Sequence, residues 1–439
     1  MGGLLAARAL ADFYDEVLIL ERDSFPTSGE NRKGVPQGRH AHGLLARGRE
    51  VLEELFPGLT AELAQQGAET GDIGETVRWF HHGRYHQEVQ SAMLGLAVSR
   101  PTLEAHVRAR LLALPNVRAV EQCDVLGLLA SSDTQRIEGV RLIRRADGSA
   151  EEQLSADLVV DASGRGSRSP AWLDALGYER PHEEEVRVGV GYATRYYRRV
   201  ADEPTTASGI IMASVPPGTS GAVLLWQDGE RFVVTLAGYF GAHPPTDEAG
   251  FLAFARALPA PEVYEAIRKA EPITPISAFK YPASQRRRYE RLRRFPAGYL
   301  VFGDAICSFN PIYGQGMSVR ASEALVLRDC LRQGSHRLAQ RFFARASRII
   351  DSPWSLAVGN DLRYKQVAAP RSPLVRFINW YVGKLHIAAW QDEQVALAFL
   401  RVLNLVDPPP SILRPHVVLR VVLGNMRAQR STDTLPPAC

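Results

Sequence analysis

Gly303-Asp304-Ala305-Ile306-Cys307-Ser308-Phe309-Asn310-Pro311-Ile312-Tyr313-Gly314-Gln315-Gly316-Met317 decides the reading of this chain. The apolar run Tyr299 to Phe302 before it reads as a strand. Ser318 to Leu331 after it carries apolar residues at helical spacing with few breakers. An acid therefore sits just past a strand end, and a glycine-rich turn opens a helix. A helix N-terminus offers unpaired N–H groups and about half a positive charge. Gly314 and Gly316 let backbone approach a ligand closely, so the turn suits an anionic group.

Working outward, the chain start matches half of a second phosphate-binding pattern. Met1 to Leu10 is a small-residue, amphipathic helix start, and Glu16 to Glu21 reads as a buried parallel strand ending in an acid. In a dinucleotide unit, G-x-G-x-x-G joins strand to helix, and an acid about 20 residues later binds the adenosine ribose. Gly3 fits the third glycine, which lets helix and strand pack closely, and Glu21 fits the ribose acid. The first strand and first two glycines of that fingerprint are missing from the sequence.

Arg32-Lys33-Gly34-Val35-Pro36-Gln37-Gly38-Arg39-His40-Ala41-His42 is a glycine-rich, basic loop that enters a helix predicted over 44–55. His40 and His42 lack a third ligand at matching spacing, so no metal site is expected. Arg39 or Lys33 could meet a pyrophosphate. Arg100-Pro101 opens a helix that runs to about Leu114, with Glu104 a favourable acid in its first turn. Leu158-Val159-Val160-Asp161 is an apolar strand ending in an acid, followed by the small-residue turn Ala162-Ser163-Gly164. Arg165 and Arg168 near that turn fit a phosphate or a surface ion pair equally well.

The Gly303 to Met317 segment resembles the GD motif of FAD-dependent monooxygenases of the p-hydroxybenzoate hydroxylase-like class, and Asp161 with Gly164 resembles their DG motif. Lys33 to Gln37, Arg39 to His42 and Gly191 to Arg195 are more closely similar to actinobacterial flavin epoxidases of polyether pathways. The resemblance implies that Asp304, beside Gly303, binds the FAD ribityl chain, and that Pro311, Gly314, Gly316 and Met317 face the flavin edge. It also implies that Arg100 contacts the ribityl or pyrophosphate region and that Asp161 lies near the pyrophosphate. Many members carry His where this chain has Cys307, so a role tied to that His does not carry over.

The implied activity is insertion of one oxygen atom, by epoxidation or hydroxylation, into a hydrophobic secondary metabolite through a flavin C4a-hydroperoxide. The cofactor makes the oxidant, so no catalytic triad or paired carboxylates are required, and the sequence identifies no catalytic residue. NAD(P)H is the implied reductant, used directly or through a partner flavin reductase. Two alternatives stay open: an FAD-dependent reductase of isoprenoid double bonds, and a flavin-free, ligand-binding remnant. A halogenase is disfavoured, because no Trp-x-Trp-x-Ile-Pro stretch and no evident catalytic Lys occur. With half of the fingerprint missing, the chain as written is expected to bind FAD poorly or to fold marginally.

The expected architecture is α/β: a Rossmann-like FAD-binding domain (1–75, 99–180 and 285–335), an inserted, mostly antiparallel substrate sheet (76–98 and 181–284), and a helical region (336–439). Strands are predicted over 186–197, 209–215, 222–227 and 231–239, with Asp228-Gly229 as a hairpin turn and Asp147-Gly148 as another. Helices are predicted over 338–351, 374–390, 393–405 and 412–426.

A length of 439 residues suits two or three domains. A net charge of +4 with no arginine tract interleaved with aromatics argues against nucleic acid. The cluster Arg286 to Arg294 reads as a solvated helical face. Four scattered cysteines fit a reducing cytoplasm and neither zinc nor a disulfide framework. No run reaches about 18 apolar residues, so no membrane span is expected. The oligomeric state is not legible.

Overall fold

In the computed structural model, residues 1–26, 29–145, 150–199 and 207–433 are described, with side chains to 429; the Asp147-Gly148 turn lies outside them. Two parallel strand pairs flank the N-terminal helix Gly2–Leu10. Val17–Leu20 pairs with Val117–Val120, and Val159–Asp161 pairs with Tyr299–Val301. The two pairs share no ladder among the described residues. Leu4, Leu5, Ala6 and Ala9 of the helix are buried, and it packs chiefly on the helix Gly316–Leu331, then on the strand Val17–Leu20 and the helix Arg100–Leu112.

The larger sheet has eight strands. Their order is Cys307–Ser308, Ser277–Arg287, Glu183–Arg198, Arg231–Gly238, Ser220–Gln227, Gly209–Met212, Val77–His81 and Arg84–Tyr85. All neighbours are antiparallel except Gly209–Met212 with Val77–His81. Gly229, at φ 73°, makes the Asp228-Gly229 hairpin turn, which its missing Cβ permits. The edge strand Cys307–Ser308 belongs to the segment that opened the sequence reading. Its pairing Gln285↔Ser308 and Arg286↔Cys307 fastens the glycine-rich turn to the sheet. That ladder sets the turn's position relative to any ligand lying on the sheet.

Two sequence expectations are corrected. Arg291, Arg293 and Arg294 are solvated, on a short helical turn and the loop after it, but Arg286 to Arg288 are not part of a solvated helical face. Arg286 and Arg287 end a strand and are buried. Arg287 and Arg288 pair with Glu183 and Glu184 on the adjacent strand, and Arg286 reaches Asp351 at 2.7 Å. Antiparallel register, with Glu183 opposite Arg287 and Glu184 opposite Arg286, supplies the neutralising charges. The second correction concerns the helix expected to stop near Asp351. It runs Leu338–Asp361, through Pro353. Proline in a helix interior costs a hydrogen bond and clashes with the preceding turn. Burial of Pro353, Trp354 and Ala357 against the core offsets that cost. The extra turns deliver Asn360 and Asp361 to the site described next.

The helices Pro373–Ala388, Glu393–Leu403 and Pro415–Asp433 complete the chain and enclose their own apolar cluster around Tyr381, Leu385, Val395, Leu400 and Val421. No helix of the described residues is long and apolar enough to cross a membrane.

Candidate functional site

The site grows from the junction of three glycine turns. Gly303 (φ 69°) and Gly314 (φ 65°) adopt left-handed backbone, and Gly164 (φ 84°) does the same after Asp161. A Cβ on Gly164 would lie 3.9 Å from Asp304 Cβ, and one on Gly3 would lie 3.7 Å from Ala162 Cβ. The N-terminal helix, the Asp161 turn and the Asp304 turn therefore meet. Asp161 organises its own turn: its oxygens accept from Ser163 N at 2.9 Å, from the hydroxyls of Ser163 and Ser167 at 2.5 Å, and from Ser169 Oγ. Asp304 pairs with Arg320, one turn into the helix Gly316–Leu331. Buried Glu323, on the same helix, accepts from Gly303 N at 3.0 Å; burial pushes its carboxyl up to about 7.

One end of this junction is strongly charged. Glu104 is buried beside the Arg32 guanidinium at 2.7 Å and that of Arg100 at 3.6 Å, with the Met1 amine, which burial lowers to about 6, at 3.2 Å. Burial alone would raise its carboxyl, but the Met1, Arg100 and Arg32 charges outweigh that and hold it well below the usual range. Arg32 also bonds Glu21 Oε2 at 2.7 Å. Burial and the nearby Arg100 depress Arg320 to about 10. Arg32, Arg100, Glu104 and Arg108 line a common cleft. Arg39 is exposed, at the end of the short helical turn Pro36–Arg39. Arg165 instead donates to Ala283 O and lies over the Tyr281 ring, and Arg168 lies over Trp172.

The loop histidines are committed to polar contacts. His40 Nδ1 meets Thr194 Oγ1 at 2.7 Å. His42 uses Nδ1 on His40 O at 2.9 Å and Nε2 on Arg100 at 3.3 Å. Burial lowers both, His40 to about 4 and His42 to about 3, so both rings are neutral at pH 7.

A second polar network, around the acid Asp361 that sequence reading missed, carries a single cation among the described residues, Arg363. Asp361 Oδ1 accepts from Tyr313 OH at 2.7 Å, Asn310 Nδ2 at 3.1 Å and Tyr239 OH at 3.4 Å. Oδ2 is buried without a hydrogen-bond partner. Burial raises the carboxyl to about 7, despite the lowering effect of those donors. Asn360 Nδ2 bonds Tyr313 OH at 2.9 Å, and Arg363 links Asn360 (3.1 Å) to His82 (3.2 Å). Tyr192, Phe279 and His40 form an aromatic wall beside this network, with ring centroids 5.6–6.4 Å apart.

The structure thus brings Gly3, Arg100, Gly303, Asp304 and Gly164 together, with Glu21 reached through Arg32. The residues missed were Arg32, Glu104, Arg320, Glu323 and Asp361. Glu323 and Asp361 follow the glycine turn on helices, but nothing local marks them as buried.

This architecture is that of the flavin-dependent halogenase and monooxygenase structures. The fold matches the flavin-dependent brominase Bmp2 (TM-score 0.68, 14% identity, covering 98% of this chain and 97% of that one). It also matches PqsL, described as a probable FAD-dependent monooxygenase from Pseudomonas aeruginosa (TM-score 0.58, 18% identity, 82% of this chain and 94% of that one). No family model matches. In sequence, the chain is 32% identical over 449 residues to Protein Rv3254 of Mycobacterium tuberculosis (strain ATCC 25618 / H37Rv), covering 97% of this chain and 92% of that protein. The chain belongs to the same family as that mycobacterial protein.

Proposed function

We propose that this chain is an FAD-dependent oxygenase that inserts one oxygen atom, by epoxidation or hydroxylation, into a hydrophobic small molecule. The observation that carries the reading is the meeting of the Asp304 and Gly164 turns with the helix start at Gly3, beside Arg100 and Arg320. The residues present fit the cofactor. A Cβ at Gly314, Gly43 or Gly166 would meet nothing within 4 Å, so three loops border open space. Arg100 Nε and Gln315 Oε1 are buried polar atoms without partners.

In this reading Asp304 and Arg100 hold the ribityl and pyrophosphate portions, Glu21 takes the ribose, and the Pro311 to Met317 turn borders the ring. When bound, FAD supplies oxygen activation after reduction by NAD(P)H, directly or through a reductase. The chain's own groups exclude water and orient the substrate against the Tyr192–Phe279 wall. Asp361 holds a proton up to about pH 7 within hydrogen-bond reach of Tyr313, which anchors the turn.

The test is gel filtration of the chain after mixing with FAD, followed by an absorbance spectrum. With half of the glycine fingerprint missing, weak retention is expected, so the flavin fluorescence of the protein fraction is titrated as well: saturable binding, weakened further in Asp304→Ala, supports the reading, and no saturable binding overturns it. With flavin bound, oxygen uptake coupled to product formation distinguishes an oxygenase from an anaerobic reductase.

A further inference from the structure

The helices Pro373–Ala388 and Pro415–Asp433 pack on one another. A Cβ at Gly424 would lie 2.7 Å from Ala388 Cβ, and Asn425 Nδ2 donates to Lys384 O at 2.8 Å. Their inner faces bury Tyr381, Leu385, Val417 and Val421. Their outer faces are apolar as well. Leu374 (67% exposed), Phe377 (48%) and Trp380 (60%) recur at helical spacing on the first helix. Leu419 (59%), Val422 (52%), Leu423 (42%) and Met426 (49%) form an i, i+3, i+4, i+7 stripe on the second. Only four other large hydrophobics among the described residues are exposed, at 36–39%, and they are scattered. A concentration of this kind marks an interaction surface.

Charge identifies the partner. Every charged residue of the first helix is a cation, Arg376 and Lys384, and in the second no acid occurs before Asp433. Arg414 adds an exposed cation at the start of the second helix, whereas Arg420 is paired with Asp392. A self-complementary dimer through this face would set Arg376 and Lys384 against a copy whose same two helices offer no acid before Asp433 to neutralise them. Apolar stripes edged by cations, with Trp380 exposed among them, match the boundary between headgroups and acyl chains of an anionic bilayer.

We propose that this two-helix face seats the protein on an anionic lipid surface. The helices lie in the interface plane: the Leu, Val, Phe and Trp side chains enter the acyl boundary, and the Lys and Arg heads stay with the phosphates. The inference stands apart from the proposed cofactor chemistry.

The test is sedimentation of the full chain with phosphatidylglycerol–phosphatidylcholine vesicles and with phosphatidylcholine alone. The expected result is preferential binding to the anionic vesicles, weakened by salt. Phe377→Glu/Trp380→Glu/Leu423→Glu should lower the bound fraction roughly tenfold or more, because each change removes an inserted apolar side chain and adds repulsion. Those side chains face water, so the thermal midpoint of the soluble variant should match the wild type, which controls for misfolding. Brominated lipid should also quench wild-type tryptophan emission. Absence of wild-type binding, or equal binding by the variant, overturns the proposal. So does a concentration-dependent dimer that the same substitutions abolish while vesicle binding is absent.

Discussion

Glu104 and Asp361 are both buried carboxyls, one at each end of the candidate site, and their environments drive them in opposite directions. Glu104 is met by the guanidinium groups of Arg32 and Arg100 and is held in its charged form. Asp361 is met by two phenols and an amide and keeps its proton to about pH 7. Burial is common to both, so burial alone does not decide the charge. Compensating cations do, and hydroxyl donors soften the desolvation without reversing it.

The largest test of this contrast is Glu104→Gln. It leaves Arg32 and Arg100 without their shared carboxylate, at a cost of about 3–5 kcal/mol. Urea denaturation at pH 7 measures it, and a loss below about 1 kcal/mol would break the comparison.

Asp361 is tested by pH. Its folded value of about 7 lies above the ordinary 3.8, so its contribution is fully present below pH 3.8 and lost as pH rises to about 7. About three units at 1.36 kcal/mol each give a total of roughly 4 kcal/mol. Asp361→Asn should flatten that component, gaining on the wild type at pH 8 relative to pH 4 in paired urea titrations. Glu104 has the opposite sign: its stability is present above the ordinary 4.5 and fades as pH falls toward its depressed folded value.

A smaller effect is expected for Tyr313→Phe, which removes the 2.7 Å bond to Asp361 and should cost about 1–2 kcal/mol. It should also move the Asp361 titration to higher pH, because that donor favours the carboxylate. The smallest is Glu21→Gln. Arg32 retains Glu104, and the lost pair is worth up to about 1 kcal/mol in a thermal melt at pH 7.

The sequence revealed what local chemistry determines. The strand–turn–helix from Tyr299 to Leu331 is legible because an apolar run, left-handed glycines and helical spacing all lie within one segment. The alternating strands of the sheet are legible for the same reason. Glu104 is a helix-start acid by its position, yet its partners include Met1 and Arg32, both distant in the chain. Asp361 was hidden because Pro353 carries a stop signal that core packing overrides. The arginine cluster was misread because its neutralising acids lie on another strand, about a hundred residues upstream.

The separation of the two parallel strand pairs has a consequence for amide exchange. Val17 and Glu21 direct their N–H groups to Asn116 O and Val120 O on the neighbouring segment. Alternation along the strand then turns Leu18 and Leu20 toward the flank where no ladder exists among the described residues. Deuterium uptake should therefore alternate within this one strand, fast at Leu18 and Leu20 and slow at Ile19. One edge of this strand is therefore held by ladder hydrogen bonds and the other by side-chain packing alone among the described residues.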